Sequence, residues 1–264
     1  MKKINMNHRV LGLAALFFST TLLASPEWNH HGQATWGALD DSSQTTVPLM
    51  YPYAECSIGS HQSPVDLSTA QRERLANPLK IEYRHDTTPD FFNSGHAAQV
   101  NLSSENLSRL MIGNEAYPLI QFHFHTPSEH VLGSKTFPAE LHFVHIRADG
   151  KIAVLGIFLD DHADIANQEF QKVLDNMPTT PATHDQNSGI QLNPSLLLPA
   201  HKRHLLSYAG SLTTPPCSEG VNWYVLPEPV SVTKSQISQL QSIYYENHRL
   251  PQALNGRSVM IHSH

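Results

Sequence analysis

The sequence is poor in cysteine, with two in 264 residues, and it has no long apolar run after its first 25 residues. Two cysteines are too few for the thiolate-rich sets that hold many structural zinc ions. Without an apolar run of about 18 residues or more, the chain offers no candidate transmembrane helix. Internal repeats, low-complexity tracts and linkers between two cores are also absent, and this predicts a single domain.

Positive charge is scarce as well. The chain has 17 Lys and Arg against 23 Asp and Glu, which gives a formal net charge of −6 at pH 7. An acidic protein is a poor candidate for nucleic-acid binding, so we expect no such partner. Histidine, in contrast, is abundant at 18 residues. This abundance favours a metal site, although scattered surface histidines would account for most of it equally well.

The first 25 residues have the layout of a secretory signal peptide. Three basic residues precede a short apolar run at 10–18, and small and polar residues follow. That run is too short to span a membrane. We therefore expect residues 1–25 to be removed, which leaves a domain over 26–264 with a net charge of about −9 and no membrane anchor. We expect this domain in the periplasm, with full secretion as the alternative.

In an oxidising compartment, the pair Cys56 and Cys217 predicts a disulfide bond. The alternative is two free buried thiols. A bond between them would close a long loop, which stabilises a protein by a few kcal/mol in the chain-entropy account, on the order of 3–5 kcal/mol.

Short alternating or β-branched runs, separated by turn residues, predict a mainly β domain. The runs cover residues 79–83, 98–102, 116–125, 140–148, 152–159, 223–227 and 259–262. Asp149-Gly150 between two apolar runs predicts a hairpin. Helical periodicity is confined to 161–177 and 233–246. We expect one large, mostly antiparallel twisted sheet with peripheral helices.

The stretch QFHFHTPSEH, residues 121–130, has the two-residue period of a strand. His123 and His125 then share one face with Gln121, and Phe122 and Phe124 face a core. The phenylalanines are apolar enough to fix which face is buried. The histidines therefore face a cavity or the solvent.

The stretch AELHFVHI, residues 139–146, alternates in the same way. His142 shares a face with Glu140 and Val144, and His145 lies on the opposite face. If this strand pairs antiparallel with the previous one, His142 converges with the two histidines there. Three neutral imidazoles without a fourth protein ligand are the donor set of a catalytic zinc ion, Zn²⁺. The alternative is three polar residues on a solvated sheet face.

A histidine that binds a metal usually donates its other N–H to an oxygen. Gln121 and Glu140 each precede a candidate ligand by two residues and share its face. They have the residue types that accept such a bond. A partner of this kind would also explain a carboxylate in a buried strand.

With these histidine-bearing stretches, the chain resembles the α-class carbonic anhydrases in their exported bacterial form. The resemblance rests on motifs that span almost all of residues 26–264 in family order: GSHQSPVDL (59–67), NSGHAAQV (93–100), QFHFHTPSEH (121–130), AELHFVH (139–145), AVLGIFL (153–159), GSLTTPPC (210–217), VNWYVL (221–226) and NHRLPQALNGR (247–257). It implies the α-carbonic anhydrase fold and reversible hydration of carbon dioxide to bicarbonate and a proton.

The resemblance also implies roles for single residues. His123, His125 and His142 would bind zinc, and hydroxide on the zinc would attack carbon dioxide. Thr213 would accept from that hydroxide and donate to Glu129. His96 would act as a proton shuttle, and Gln121, Glu140 and Asn247 would support the ligands. Thr214 would contact bicarbonate, and Cys56 and Cys217 would form a disulfide. The substrate would meet an apolar wall made of Val144, Val154, Leu212, Val221 and Trp223.

Read without the resemblance, several of these residues have simpler interpretations. Thr213 could be a turn residue before two prolines, and Glu129 a surface carboxylate. The apolar residues could be ordinary core, and His96 an exposed loop histidine. His30 departs from the family, which has tyrosine there, and Leu250 stands in a segment that is usually more polar.

The sequence leaves two other functions open. Some relatives of the family bind partners without turnover, but these lack one or more ligand histidines, and all three are present here. A zinc hydrolase acting on esters is the second alternative, and weak esterase activity is expected as a side reaction in any case. The HExxH pattern of metalloproteases is absent. The sequence leaves the oligomeric state open, and a homodimer is among the states that it allows.

Overall fold

The structure is a computed structural model, and it describes residues 25–47, 49–73, 77–103, 105–186 and 189–263. The expected signal segment 1–25 lies outside these ranges apart from its last residue. In the described ranges, no helix is long and apolar enough to cross a membrane.

The described residues form twelve strands and a few short helices. The strands are β1 (Gln71–Arg72), β2 (Leu79–Glu82), β3 (Pro89–Asn93), β4 (Ala98–Leu102), β5 (Arg109–Ile112), β6 (Glu115–His125), β7 (Ala139–Ile146), β8 (Ile152–Asp160), β9 (Thr183–Asp185), β10 (His204–Ser211), β11 (Glu219–Ser231) and β12 (Met260–Ser263). The α-helices are α1 (Glu55–Ile58), α2 (Gln168–Asn176) and α3 (Lys234–Ile243), and 3₁₀ helices cover His30–Ala38 and Pro194–Leu197.

The strands join in one sheet with the order β1-β12-β10-β11-β8-β7-β6-β4-β3-β9, and β2 and β5 extend it beside β6. The pairs β8–β11 and β1–β12 are parallel, and the other pairs are antiparallel. The predicted fold class, a large and mostly antiparallel sheet with peripheral helices, is confirmed.

All seven predicted strands are present, with ends that differ by a few residues, and β11 is much longer than the predicted 223–227. Five strands were not predicted: β1, β3, β5, β9 and β10. In β10 the small residues Ala209, Gly210 and Ser211 interrupt the apolar pattern, so its burial is visible only in the folded sheet.

The hairpin at Asp149-Gly150 joins β7 to β8. Arg147 donates its backbone N–H to the Lys151 carbonyl (2.9 Å), and Gly150 donates to the Arg147 carbonyl (2.9 Å). Gly150 has φ +86°, a conformation that glycine adopts without strain. This turn places β8 beside the histidine-bearing strand β7.

Both faces of the central strands are covered, and this explains the nearly continuous apolar run in β8. Leu155 and Ile157 point into the larger apolar cluster, which also holds Phe122 and the side chains of α2. Val154 and Phe158 point into a second cluster on the opposite face. The functional residues described next lie on the face of this second cluster.

Candidate metal centre

Three imidazoles converge where β6 lies against β7. His123 and His142 are direct partners across the two strands, and His125 lies two residues along β6 on the same face. The candidate ligand atoms of the three side chains all lie within 4.8 Å of one another. The strand alternation in the sequence predicted this convergence. Phe122 and Phe124 point into the core on the other face, as expected.

The surroundings favour the neutral form of each imidazole. Burial lowers the pKa of His125 to about 4. Burial also lowers the pKa of His123 well below its ordinary value, and the neighbouring His125 adds to this effect. The pKa of His142 is likewise lowered by burial. Neutral imidazole is the form that binds a metal, so the three side chains are ready to do so near neutral pH.

Each of the three rings has an oxygen at one nitrogen. Gln121 Oε1 lies 2.8 Å from His123 Nδ1, and the Asn247 carbonyl oxygen lies 2.6 Å from His125 Nδ1. The other nitrogen of His125, Nε2, is buried, and within the described ranges it has no hydrogen-bond partner. A buried imidazole nitrogen without a partner is costly unless something binds it. This donor set fits a zinc ion.

Glu140 contacts the third imidazole, that of His142, as the sequence indicated, and it also contacts three groups that the sequence did not indicate. Its Oε1 lies 2.9 Å from His142 Nε2 and 2.7 Å from His130 Nδ1. Its Oε2 accepts the backbone N–H groups of Glu129 and His130. Burial raises the pKa of the Glu140 carboxyl, but the two histidines outweigh burial and hold it well below its ordinary value. The Glu140 carboxylate therefore contacts both His142 and His130. Because this contact uses Nε2 of His142, its Nδ1 is the nitrogen available to bind a metal.

Glu129 is fully buried, which rules out the simpler reading of it as a surface carboxylate. Its Oε1 accepts the backbone N–H of Arg249 (2.8 Å), and its Oε2 lies 3.8 Å from His142 Nδ1. Burial raises the pKa of its carboxyl to about 7, while His142 and the Thr213 hydroxyl lower it. Thr213 is itself buried. Glu129 and Thr213 thus lie together beside the three imidazoles.

An apolar wall borders the imidazoles. Val154, Val221 and Trp223 are buried in one cluster, and Val144 and Leu212 pack against it. The Trp223 ring lies edge-on to His142, with 4.8 Å between ring centroids. The five residues predicted to form a substrate wall are therefore contiguous and reach a candidate ligand.

His96 and His30 stand on another side of the site. The His96 ring stacks on Trp28, with centroids 3.8 Å apart and planes 8° apart, and burial lowers its pKa. His30 is only 7% exposed, and its ring centroid is 6.4 Å from that of His125. Burial lowers the pKa of His30 to about 3, and His125 and His96 add to this. The histidine at the usual tyrosine position is thus a neutral, inward-facing group.

Cys56 of α1 is bonded to Cys217, which follows the segment with Thr213 and Thr214. The Cys217 backbone N–H donates to the Thr214 carbonyl (2.8 Å), which closes the turn after these threonines. The predicted disulfide is present. It fastens the threonine segment to the N-terminal part of the domain.

Sequence reasoning missed the buried polar residues that surround these groups. Arg249 is buried and donates to the Gln62 side chain and to the carbonyl oxygens of Ser63 and Cys56. His130 bonds to the Tyr208 hydroxyl at 2.7 Å. Their partners lie many residues away in the chain, so periodicity gives no signal for them. Leu250, beside Arg249, is 56% exposed.

The comparisons with known proteins agree with this geometry. The family described as eukaryotic-type carbonic anhydrase matches residues 49–263. A carbonic anhydrase of Pectobacterium atrosepticum is 36% identical over 251 residues, which cover 93% of this chain and 94% of that protein. Carbonic anhydrase 7 of Homo sapiens is 32% identical over 268 residues, which cover 87% of this chain and 97% of that protein.

Solved structures give the same result. The α-carbonic anhydrase of Thermovibrio ammonificans, in complex with the inhibitor sulfanilamide, has a TM-score of 0.79 at 34% identity, and the match covers 90% of this chain and all of that one. The α-carbonic anhydrase of Photobacterium profundum has a TM-score of 0.77 at 35% identity, and covers 89% of this chain and all of that one.

Proposed function

This chain belongs to the α-carbonic anhydrase family and is a carbonic anhydrase. From this premise we propose how its own residues hydrate carbon dioxide. His123, His125 and His142 hold one zinc ion per chain. The observation that carries this is the convergence of three neutral imidazoles, whose candidate ligand atoms lie within 4.8 Å of one another, beside an apolar wall. A bound zinc ion supplies hydroxide near neutral pH, because it lowers the pKa of its water to about 7.

The protein's part in the reaction is to orient the reactants. Thr213 accepts a hydrogen bond from the attacking oxygen, and its own hydroxyl donates a hydrogen bond to Glu129. Because a hydroxyl has a single proton, this donation leaves Thr213 only lone pairs to offer, so it selects one orientation of the nucleophile. Glu129 is held in turn by the Arg249 backbone N–H.

The apolar wall suits a small apolar substrate. Val144, Val154, Leu212, Val221 and Trp223 form an apolar wall beside His142, which offers carbon dioxide van der Waals contact and no competing hydrogen bond. Thr214 follows Thr213 on the same segment, and we assign to it the contact with the bicarbonate product. The same oxygen nucleophile can attack an activated ester, so a weak esterase side activity is expected.

The direct test is carbon dioxide hydration by stopped flow on the purified domain, with zinc content measured on the same sample. We expect one zinc per chain. We also expect hydration to disappear after chelation and to return with added zinc. A fully zinc-loaded protein that hydrates no carbon dioxide would refute the proposed reaction.

His96 is proposed to carry the proton from the site to the buffer, because histidine is the side chain whose ordinary pKa lies closest to neutral pH, and burial lowers that pKa here without removing the ring's capacity to exchange a proton. His96→Ala should lower steady-state turnover in weak buffer by roughly 100-fold, the lower end of the contribution of a positioned acid or base. Added imidazole should restore turnover, and the carbon dioxide–bicarbonate exchange rate should be unchanged.

His162→Ala is the matched control for this experiment, because the His162 side chain is 76% exposed and its ion pairs among the described residues are with Asp160 and Asp161. It should leave turnover unchanged. Unchanged turnover of His96→Ala in weak buffer would instead assign the proton transfer to His30, His31 or water.

We also propose that the protein is exported, as a domain over residues 26–264, and acts in the periplasm. The disulfide supports this, because such bonds persist in oxidising compartments.

A further inference from the structure

A line of buried hydrogen bonds leads away from the ligand His142. Glu140 Oε1 contacts His142 Nε2 and His130 Nδ1 at 2.9 and 2.7 Å. His130 Nε2 lies 2.7 Å from the Tyr208 hydroxyl oxygen, which lies 2.9 Å from Ser63 Oγ. All five side chains are buried. Ser63 is thus connected to the metal centre through three intervening side chains.

Ser63 also holds the strand that leads into the Thr213 segment. The Ser211 backbone N–H donates to Ser63 Oγ (3.0 Å), and the Ser63 backbone N–H donates to Ser211 Oγ (2.9 Å). Ser211 Oγ donates in turn to the Leu212 carbonyl (2.7 Å), and Thr213 is the next residue. A single serine therefore contacts both the line from His142 and the start of the threonine segment.

The surroundings of Ser63 allow little movement. Ser63 and Ser211 are fully buried, and Arg249 Nη1 donates to the Ser63 carbonyl at 2.8 Å. A Cβ atom added at Gly210 would clash with Ser63 Oγ, so glycine is what lets β10 approach this closely. Backbone, guanidinium and two hydroxyls together fix the position of the serine.

We propose that Ser63 is a positioning residue that fixes the metal ligand His142 and the orienting residue Thr213 relative to each other. This rests on the proposed function, because it assigns reaction roles to His142 and Thr213. Ser63 itself touches neither substrate nor metal. Its effect on rate follows from the sensitivity of catalysis to geometry, since a misplacement of about 1 Å can cost about 100-fold.

The first variant is Ser63→Ala, with Ser108→Ala as the matched control. Ser108 is also fully buried, and its Oγ accepts one backbone N–H, from Arg84 (2.9 Å), away from the site. Both variants should lower the denaturation midpoint. Only Ser63→Ala should speed zinc release to a chelator and lower kcat/KM for hydration, each by about tenfold, the lower end for residues that support a metal ligand.

Two further variants separate the two arms of the network. Tyr208→Phe removes the hydroxyl between Ser63 and His130, so it should speed zinc release. Ser211→Ala removes the hydroxyl on the threonine side, so it should lower kcat/KM of the zinc-loaded protein while zinc release stays at the wild-type rate. A merely structural role of Ser63 would not separate the two measurements in this way.

The proposal is overturned if Ser63→Ala and Ser108→Ala match in both zinc release and kcat/KM. Near-ultraviolet circular dichroism shows whether Ser63→Ala folds. If it does not, Tyr208→Phe and Ser211→Ala decide. The proposal is overturned if these two variants change zinc release equally and change kcat/KM equally. If the wild-type protein hydrates no carbon dioxide, the proposed function fails. Zinc release, which needs no turnover, then still tests the link to His142.

Discussion

Changing His142 to alanine should remove the zinc ion and nearly all hydration activity. In the proposed site His142 supplies one of three ligand nitrogens, and a catalytic zinc site has no spare protein ligand. The loss in kcat/KM should exceed ~100-fold, the upper end of the cost of removing a group that only supports a ligand. Zinc content by mass spectrometry and hydration by stopped flow, on the same preparation, measure both effects.

His145→Ala is the control that tests the strand faces. His145 lies three residues along β7 but points to the other side of the sheet, where it contacts the Tyr83 hydroxyl (2.9 Å) and the Ala153 carbonyl (3.2 Å). Burial lowers its pKa to about 3, so it is neutral like the three candidate ligands. Its removal should cost stability and leave zinc bound. Loss of zinc in His145→Ala, with zinc retained in His142→Ala, would refute the ligand assignment.

Replacing Thr213 with valine should lower kcat/KM about 100-fold while zinc remains bound. Valine keeps the shape of threonine but has no hydroxyl, so nothing orients the attacking oxygen or donates to Glu129. Losing one hydrogen-bonding group that acts in the transition state typically costs 10²–10³-fold, on the order of 3–4 kcal/mol. Stopped-flow hydration with a parallel zinc assay separates this loss from a loss of metal.

Glu129→Gln provides the companion measurement. An amide that presents its NH₂ group to Thr213 cannot accept the threonine proton, so this variant should be impaired as well. Combined with Thr213→Val, it should add little further loss, because both changes break the same interaction. Fully additive losses, or a Thr213→Val protein within about threefold of wild type, would contradict the orienting role.

The sequence was most informative where one short pattern determined the geometry. Alternation along β6 and β7 predicted which side of each strand His123, His125 and His142 occupy, because successive side chains of a strand point to opposite faces. Phe122 and Phe124, which alternate with His123 and His125, then fixed the buried face. Neither step needed information from distant parts of the chain.

Contacts between distant segments were not predictable in the same way. His130 meets Tyr208 across 78 residues, and Tyr208 meets Ser63 across 145. No local periodicity reports such pairs, because they depend on how the strands are ordered in the sheet. His30 is a related case: its departure from the family was visible in the sequence, but its burial against His125 was not.

The disulfide has a topological consequence. The two cysteines are 161 residues apart, and the interval between them holds the three candidate ligands as well as Glu129 and Thr213. A single peptide-bond cleavage anywhere in that interval therefore yields two fragments that are still one covalent molecule. All five groups remain on that molecule, and only reduction of the bond lets the fragments diffuse apart.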